Sequence, residues 1–188
     1  MNLLIKTDHV QPSVRQISPS TIADVISYAV FDCDLGKGLV ARSANGVCAI
    51  LLGDTAEALT ADLHDRFPYS TLVASEAMVR DDIAKILRYL AEPSHGLHLA
   101  LDMRGTPFQR RVSEKLKAIP PGRTVSYTEL SRWVGPLANP RAVAGACAAN
   151  PVALAIPCHR VLRADGTLAG FRWGIKRKRV LIEKEARA

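Results

Sequence analysis

Three short apolar runs, VISYAVFD, GLVARSA and VCAILLG, follow one another between residues 25 and 53, with only the turn-rich pieces CDLGKG and SANG between them. Short apolar runs bounded by turn residues read as strands, and Asn45 followed by Gly46 is a hairpin signal. The first half is therefore expected to hold a small antiparallel sheet. Helical spacing follows from Thr55 to Phe67 (Ala58, Leu59, Leu63, Phe67) and again from Met78 to Leu90 (Ile83, Ile86, Leu87, Leu90). LHLALDM then reads as a connecting strand. Residues 1–20, polar and with Pro12 and Pro19, read as a loose leader, so that residues 21–100 form an α+β domain.

After Arg104 the texture changes to short helices punctuated by Pro and Gly. Pro107 to Ile119 carries Phe108, Val112, Leu116 and Ile119 on one stripe. Ser126 or Thr128 opens a second helix that runs through Trp133 and closes at Gly135. Asn139 and Pro140 place a capping side chain and a first-turn proline at the start of a third. That helix, RAVAGACAA, ends at Asn150, because the residue before Pro151 avoids helical geometry. Residues 101–188 thus form a mostly α domain with a helix-turn-helix.

Charge divides the chain at the same place. Residues 1–100 hold 8 Lys+Arg against 12 Asp+Glu, and residues 101–188 hold 17 against 6. A basic half joined to an acidic half points to a polyanion as partner of the second. No stretch of 18 apolar residues exists and the first residues lack the order of a secretory signal, so a cytoplasmic protein is expected. The four cysteines, Cys33, Cys48, Cys147 and Cys158, form no C-x-x-C pair, which argues against a disulfide framework or a zinc site. Neither metal nor cofactor is expected. His64, His95 and His98 read as surface or packing residues.

The chemistry sits in Asn150-Pro151, VALAI, and Pro157-Cys158-His159-Arg160-Val161. A cysteine attacks as thiolate, and an ordinary thiol pKa of about 8.5 leaves little of it at neutral pH. His159 is placed to accept the proton, directly or through a water, and Arg160 adds positive potential. A carboxylate must orient the imidazole, for which Glu183 and Glu185 in the last helix are both candidates.

Together with RGTPFQRRV, IPPGRTVSYTEL, RAVAGACAANP and RADGTLAGFRWGIKRKRVLIEKE, the IPCHRV run resembles the O6-alkylguanine-DNA alkyltransferases (methylated-DNA–protein-cysteine methyltransferases), and within them the carboxy-terminal half of bacterial Ada. The likeness covers residues 22–187. It implies a ribonuclease H-like first domain and a winged-helix-like second one, acting as a monomer on double-stranded DNA. The implied activity is direct-reversal repair: irreversible, single-turnover transfer of the alkyl group from O6-alkylguanine to Cys158, with O4-alkylthymine as a second candidate substrate. In the roles the resemblance implies, Cys158 accepts the alkyl group, His159 is the base acting through a water, Glu185 completes the relay and Asn150 buttresses the turn. Tyr127, Val161, Phe171, Arg172 and Cys147 surround the extruded base, a displacement that damaged pairs ease. Arg141 fills the hole left in the duplex. Thr124, Ser126, Tyr127, Ala142 and Gly145 join it on the DNA, where the small residues Ala144, Gly145 and Ala148 allow close approach in the minor groove.

Three departures bear on rate and substrate range. Phe171 stands where the family usually has Tyr, Ser113 where it commonly has Trp, and Asn139 and Pro140 replace a small aliphatic pair. The sequence has no counterpart of Ada's zinc-binding region or regulatory helix-turn-helix, so neither phosphotriester repair nor transcriptional activation is expected. The rival readings are a lesion binder without transfer, a transcription regulator with an unreactive Cys158, and a small-molecule thiol hydrolase. Trp133 and Trp173 read as packing groups, and the run 176–179 as either a solvated helix face or a phosphate contact.

Overall fold

The structure is a computed structural model, and it describes residues 24–187. The expected leader lies outside the described residues. Strands β1 (Val25–Cys33), β2 (Gly36–Ser43) and β3 (Gly46–Gly53) form an antiparallel meander. The second turn falls on residues 44 and 45, and Gly46 opens β3 at φ 139°. Glycine is required there, since a Cβ would lie 2.6 Å from the Ala100 carbonyl oxygen. Helix α1 (Ala56–Arg66), capped by Thr55, carries the chain to β4 (Thr71–Ala74), which pairs parallel to β1 with Val25 opposite Thr71. The sheet order is β3-β2-β1-β4. The expected all-antiparallel sheet is therefore corrected to a mixed one. A parallel neighbour needs a crossover connection, and α1 supplies it. β4 leaves little trace in the sequence because it is a short edge strand with three of its four residues exposed.

Helix α2 (Glu76–Ala91) packs on β1 and β2 through Val79, Ile86, Tyr89 and Leu90, whereas Leu87 faces outward. The segment LHLALDM is not a strand. Leu97, Leu99, Leu101 and Met103 keep an inward alternation, but the backbone makes one rung, on either side of Val47: Val47 N–H donates to Ala100 O at 2.8 Å and Asp102 N–H to Val47 O at 2.9 Å. β3, buried from Gly46 to Leu52, spends the rest of this edge on the second half. Ile50 N–H donates to Pro151 O and Ala153 N–H to Ile50 O, both at 2.9 Å. The loop that leads to Cys158 is thereby stitched to the sheet.

The second half contains α3 (Pro107–Lys117), β5 (Val125–Ser126), α4 (Tyr127–Val134), α5 (Pro140–Ala149), β6 (Val161–Leu162) and α6 (Ile175–Glu185). Thr106 with Gln109, and Ser126 with Glu129, form reciprocal capping boxes that fix the starts of α3 and α4. Gly135 ends α4 at φ 140° and the Asn139 side chain accepts from Ala142 N–H, so a tight turn separates α4 from α5. β5 and β6 pair in parallel, Val125 opposite Val161, which brings the start of α4 beside the cysteine segment. No helix among the described residues is long and apolar enough to cross a membrane.

Candidate functional site

Pro151 stops α5, and Asn150, left at its C-terminus, turns its amide into the loop behind it. Oδ1 accepts from Val152 N–H at 2.9 Å, Nδ2 donates to Ile156 O at 2.9 Å, and the same Nδ2 lies 3.4 Å from Cys158 Sγ. Between these anchors Ala155 N–H donates to Ala153 O at 2.7 Å around Leu154, whose φ is 68°. A left-handed leucine costs about 1–3 kcal/mol and persists only where its surroundings impose it. Here the Asn150 bonds on one side and the β3 edge on the other do so.

Cys158 begins a single 3₁₀ turn, Cys158–Arg160, and is 4% exposed. It lies in the wall of an open cavity of about 390 Å³, with Tyr127 at the start of α4, Ala144, Cys147 and Ala148 on α5, and the segment 169–172 opposite. Burial pushes the Cys158 thiol up, against the pull of the Asn150 amide, the Lys178 ammonium and a backbone hydrogen bond of its own. Burial likewise raises the Cys147 thiol, and lifts the Tyr127 phenol to about 12. At rest all three groups carry their protons.

His159 is fully buried and its Nε2 lies 2.8 Å from Glu185 Oε1. Its Nδ1 has no hydrogen-bond partner among the described residues. Burial lowers the imidazole pKa, against the pull of Glu185, so the ring is neutral. Of the two candidate carboxylates, Glu183 is exposed and Glu185 is buried, because Lys178, Leu181 and Glu185 form the inner stripe of α6. Burial alone would raise the Glu185 carboxyl, but hydrogen bonds from His159, Arg160 and Tyr89 hold it at about 2.

Several expectations change. Arg160 does not lend its charge to the thiol. Its Nε and Nη2 grip both Glu185 oxygens at 2.9 Å, and Nη1 donates to Ile119 O. The cation that acts on the thiol is Lys178, 0% exposed, with Nζ donating to the Val161 carbonyl. The run 176–179 is thus split, with Lys178 inside and Lys176 and Arg179 outside. Val161 is buried and does not line the cavity, since β6 turns its side chain inward and its carbonyl receives Lys178. Arg172 lines the cavity mouth, yet its guanidinium is held by Asp62 of α1 at 2.7 Å. Phe171 packs edge-on against His159 and Trp173.

Arg141, Ala142 and Gly145 are exposed on α5, and a Cβ at Gly145 would meet nothing within 4 Å. Thr124 is exposed, and the Ser126 hydroxyl is engaged with Glu129 in its capping box. The sequence reading missed two residues. Lys178 was discoverable from its spacing with Leu181 and Glu185. Tyr89, whose hydroxyl donates to Glu185 Oε1 at 2.5 Å, left no local signal, because its partner is 96 residues away. No group of three or more His, Cys, Asp and Glu side chains suited to a metal ion occurs among the described residues.

Residues 107–187 match the family model of the 6-O-methylguanine DNA methyltransferase DNA-binding domain. The bifunctional transcriptional activator/DNA repair enzyme Ada of Escherichia coli is 46% identical over 161 residues, which cover 86% of this chain and 46% of Ada. The chain therefore spans about half the length of the Ada proteins it matches. The methylated-DNA–protein-cysteine methyltransferase of Candida albicans is 33% identical over 168 residues, 84% of this chain and 95% of that one. In the solved structures, Mycobacterium tuberculosis OGT in complex with DNA superposes with a TM-score of 0.68 at 31% identity, covering 86% of this chain and 93% of that one. With a relative matched along almost its whole length, and a fold shared across both halves, the chain belongs to the methylated-DNA–protein-cysteine methyltransferase family.

Proposed function

We propose that this protein repairs O6-alkylguanine in double-stranded DNA by moving the alkyl group onto Cys158, once per molecule. The observation that carries the reading is Cys158 in the wall of a cavity, held by Asn150 and followed by the buried His159–Glu185 pair. His159 takes the thiol proton through a water and Glu185 stabilises the imidazolium. The thiolate then attacks the alkyl carbon. A C–S bond forms, the C–O bond breaks with its electrons going to guanine O6, and the leaving base recovers a proton. The thioether has no good leaving group, so Cys158 is consumed.

The base reaches the cavity by leaving the stack. Arg141, exposed at the start of α5, is positioned to occupy its place. The small exposed face of Ala142 and Gly145, with Tyr127, Ser126 and Thr124 beside it, suits the minor groove. Phosphate contacts from the basic second half supply most of the affinity, which should fall with salt. Cys147, Phe171 and Arg172 line the alkyl pocket. We further read residues 21–100 and 101–188 as two domains, the first ribonuclease H-like and the second winged-helix-like. The strand order β3-β2-β1-β4 and the α4–α5 pair support these readings. A monomer working in the cytoplasm on nucleoid DNA, with O4-alkylthymine as a second substrate, completes the proposal.

The test is the intact mass of the protein after mixing with one equivalent of a duplex carrying O6-methylguanine. One added methyl on the Cys158 peptide, absent in Cys158→Ala, is the expected result. Tight binding without mass gain would make it a lesion binder. Neither binding nor gain would leave Cys158 a structural residue.

A further inference from the structure

We propose that Tyr89, on α2 of the sheet half, is a positioning residue for the alkyl transfer, fixing Glu185 and limiting how strongly that carboxylate draws on His159. The inference rests on the proposed transfer to Cys158. Tyr89 is 2% exposed, and its hydroxyl donates at 2.5 Å to Glu185 Oε1, the same oxygen that faces His159 Nε2 at 2.8 Å. Arg160 Nη2 donates to that oxygen at 2.9 Å and approaches the Tyr89 oxygen at 3.3 Å. One carboxylate oxygen thus serves three donors, from α2 and from the Cys158–Arg160 turn.

A buried tyrosine hydroxyl needs a partner, and packing alone would be content with any carbonyl. Here it competes with the imidazole for one oxygen. Each donor withdraws electron density from the acceptor, so a carboxylate already gripped by Arg160 and Tyr89 pulls less on the His159 Nε2 proton. The remaining charges around the pair are few. Lys178, on α6, acts on both His159 and Cys158, and the Pro93–His95 turn that packs on α6 brings His95, which is exposed and paired with Glu92 at 3.3 Å. Tyr89 is therefore the one contact from the sheet half that reaches the relay directly among the described hydrogen bonds of Glu185.

Tyr89→Phe removes a single hydroxyl and leaves Glu185 with its other partners. In a single-turnover reaction the amplitude reports the competent fraction and the rate constant reports the chemistry. For Y89F in the full chain we expect amplitude to hold, the rate constant to fall about fivefold, and the His159 ring-nitrogen titration to move up by about half a unit. A ring-fluorinated tyrosine at position 89 is a stronger donor and should move that titration down. Opposite shifts from the two substitutions cannot come from packing. An unmoved titration with the rate within twofold of wild type would overturn the proposal. So would a loss confined to the amplitude, together with no shift from the fluorinated residue. If the wild-type control itself transfers no methyl, the proposed function fails, and the inference with it.

Discussion

A single side chain, Asn150, holds both the thiol and the turn that presents it: its Nδ2 sits 3.4 Å from Cys158 Sγ and 2.9 Å from Ile156 O. Asn150→Ala would orphan the buried Val152 N–H and leave Ile156 O with the Cys158 N–H alone. At about 1–3 kcal/mol for the one orphaned group, Tm should fall by about 2–12 °C. Asn150→Asp keeps the acceptor for Val152 but sets a carboxylate beside the sulfur. It should melt closer to wild type while its transfer slows by about tenfold or more, because a neighbouring negative charge raises the thiol pKa further. Thermal melts and single-turnover kinetics on both variants separate the two functions of the amide.

The His159–Glu185 pair sets an acid limit on stability. The unfolded chain protonates its imidazole near 6.5, whereas burial holds the folded value lower, so stability is lost as pH falls from about 6.5 toward that value. Glu185 acts in the same direction further down: the stability it contributes above 4.5 is lost as pH falls from there toward about 2. The urea midpoint should therefore be lower at pH 5.5 than at pH 7.5, and His159→Gln should show a smaller drop. Equal drops in the two proteins would contradict the assignment.

Lys176 and Lys178 are two residues apart and should behave oppositely. Lys178→Met removes the buried ammonium that lowers the Cys158 thiol and frees the Val161 carbonyl, and we expect transfer to slow by about tenfold or more. Lys176 is exposed, so Lys176→Ala should leave the rate constant intact and weaken DNA binding about twofold at most. Rate constants at saturating duplex, with affinity measured separately, decide the matter.

Gly145 is exposed within α5 with open space where a Cβ would stand. Gly145→Ala should stabilise the fold by about 0.5–1 kcal/mol, the usual gain for replacing a helical glycine. Gly145→Leu should fold equally well but bind duplex about tenfold more weakly, if this face enters a groove. Fluorescence anisotropy at one fixed salt concentration, beside a denaturation curve, provides the check. Unchanged affinity in the leucine variant would place the DNA elsewhere.

What the sequence made legible was whatever is written locally. The three strands of the meander, the caps at Ser126 and Asn139, and the stop at Asn150 all rest on neighbours a few residues apart, and the elements follow them closely. β4 escaped because an exposed edge strand needs no apolar pattern, and 97–103 misled because inward alternation does not by itself make a ladder. In the site, Glu183 and Glu185 are told apart by the side of α6 that turns inward, the one that Lys178, Leu181 and Glu185 share by their spacing. Arg160 was credited with activating the thiol because it adjoins it in sequence. In space it belongs to Glu185, and Lys178 stands nearer in effect.

The concealment of Cys158 has a consequence for the protein between encounters with damage. The residue is 4% exposed and its sulfur keeps its proton, since burial holds the thiol pKa up. Oxidants and disulfides react with accessible thiolate, and a protonated sulfur deep in a wall offers them little. A molecule that works once gains from this reticence. The sulfur stays intact in storage, unavailable to the peroxides and small disulfides that would disarm it, until a base of the right shape fills the cavity and calls on it.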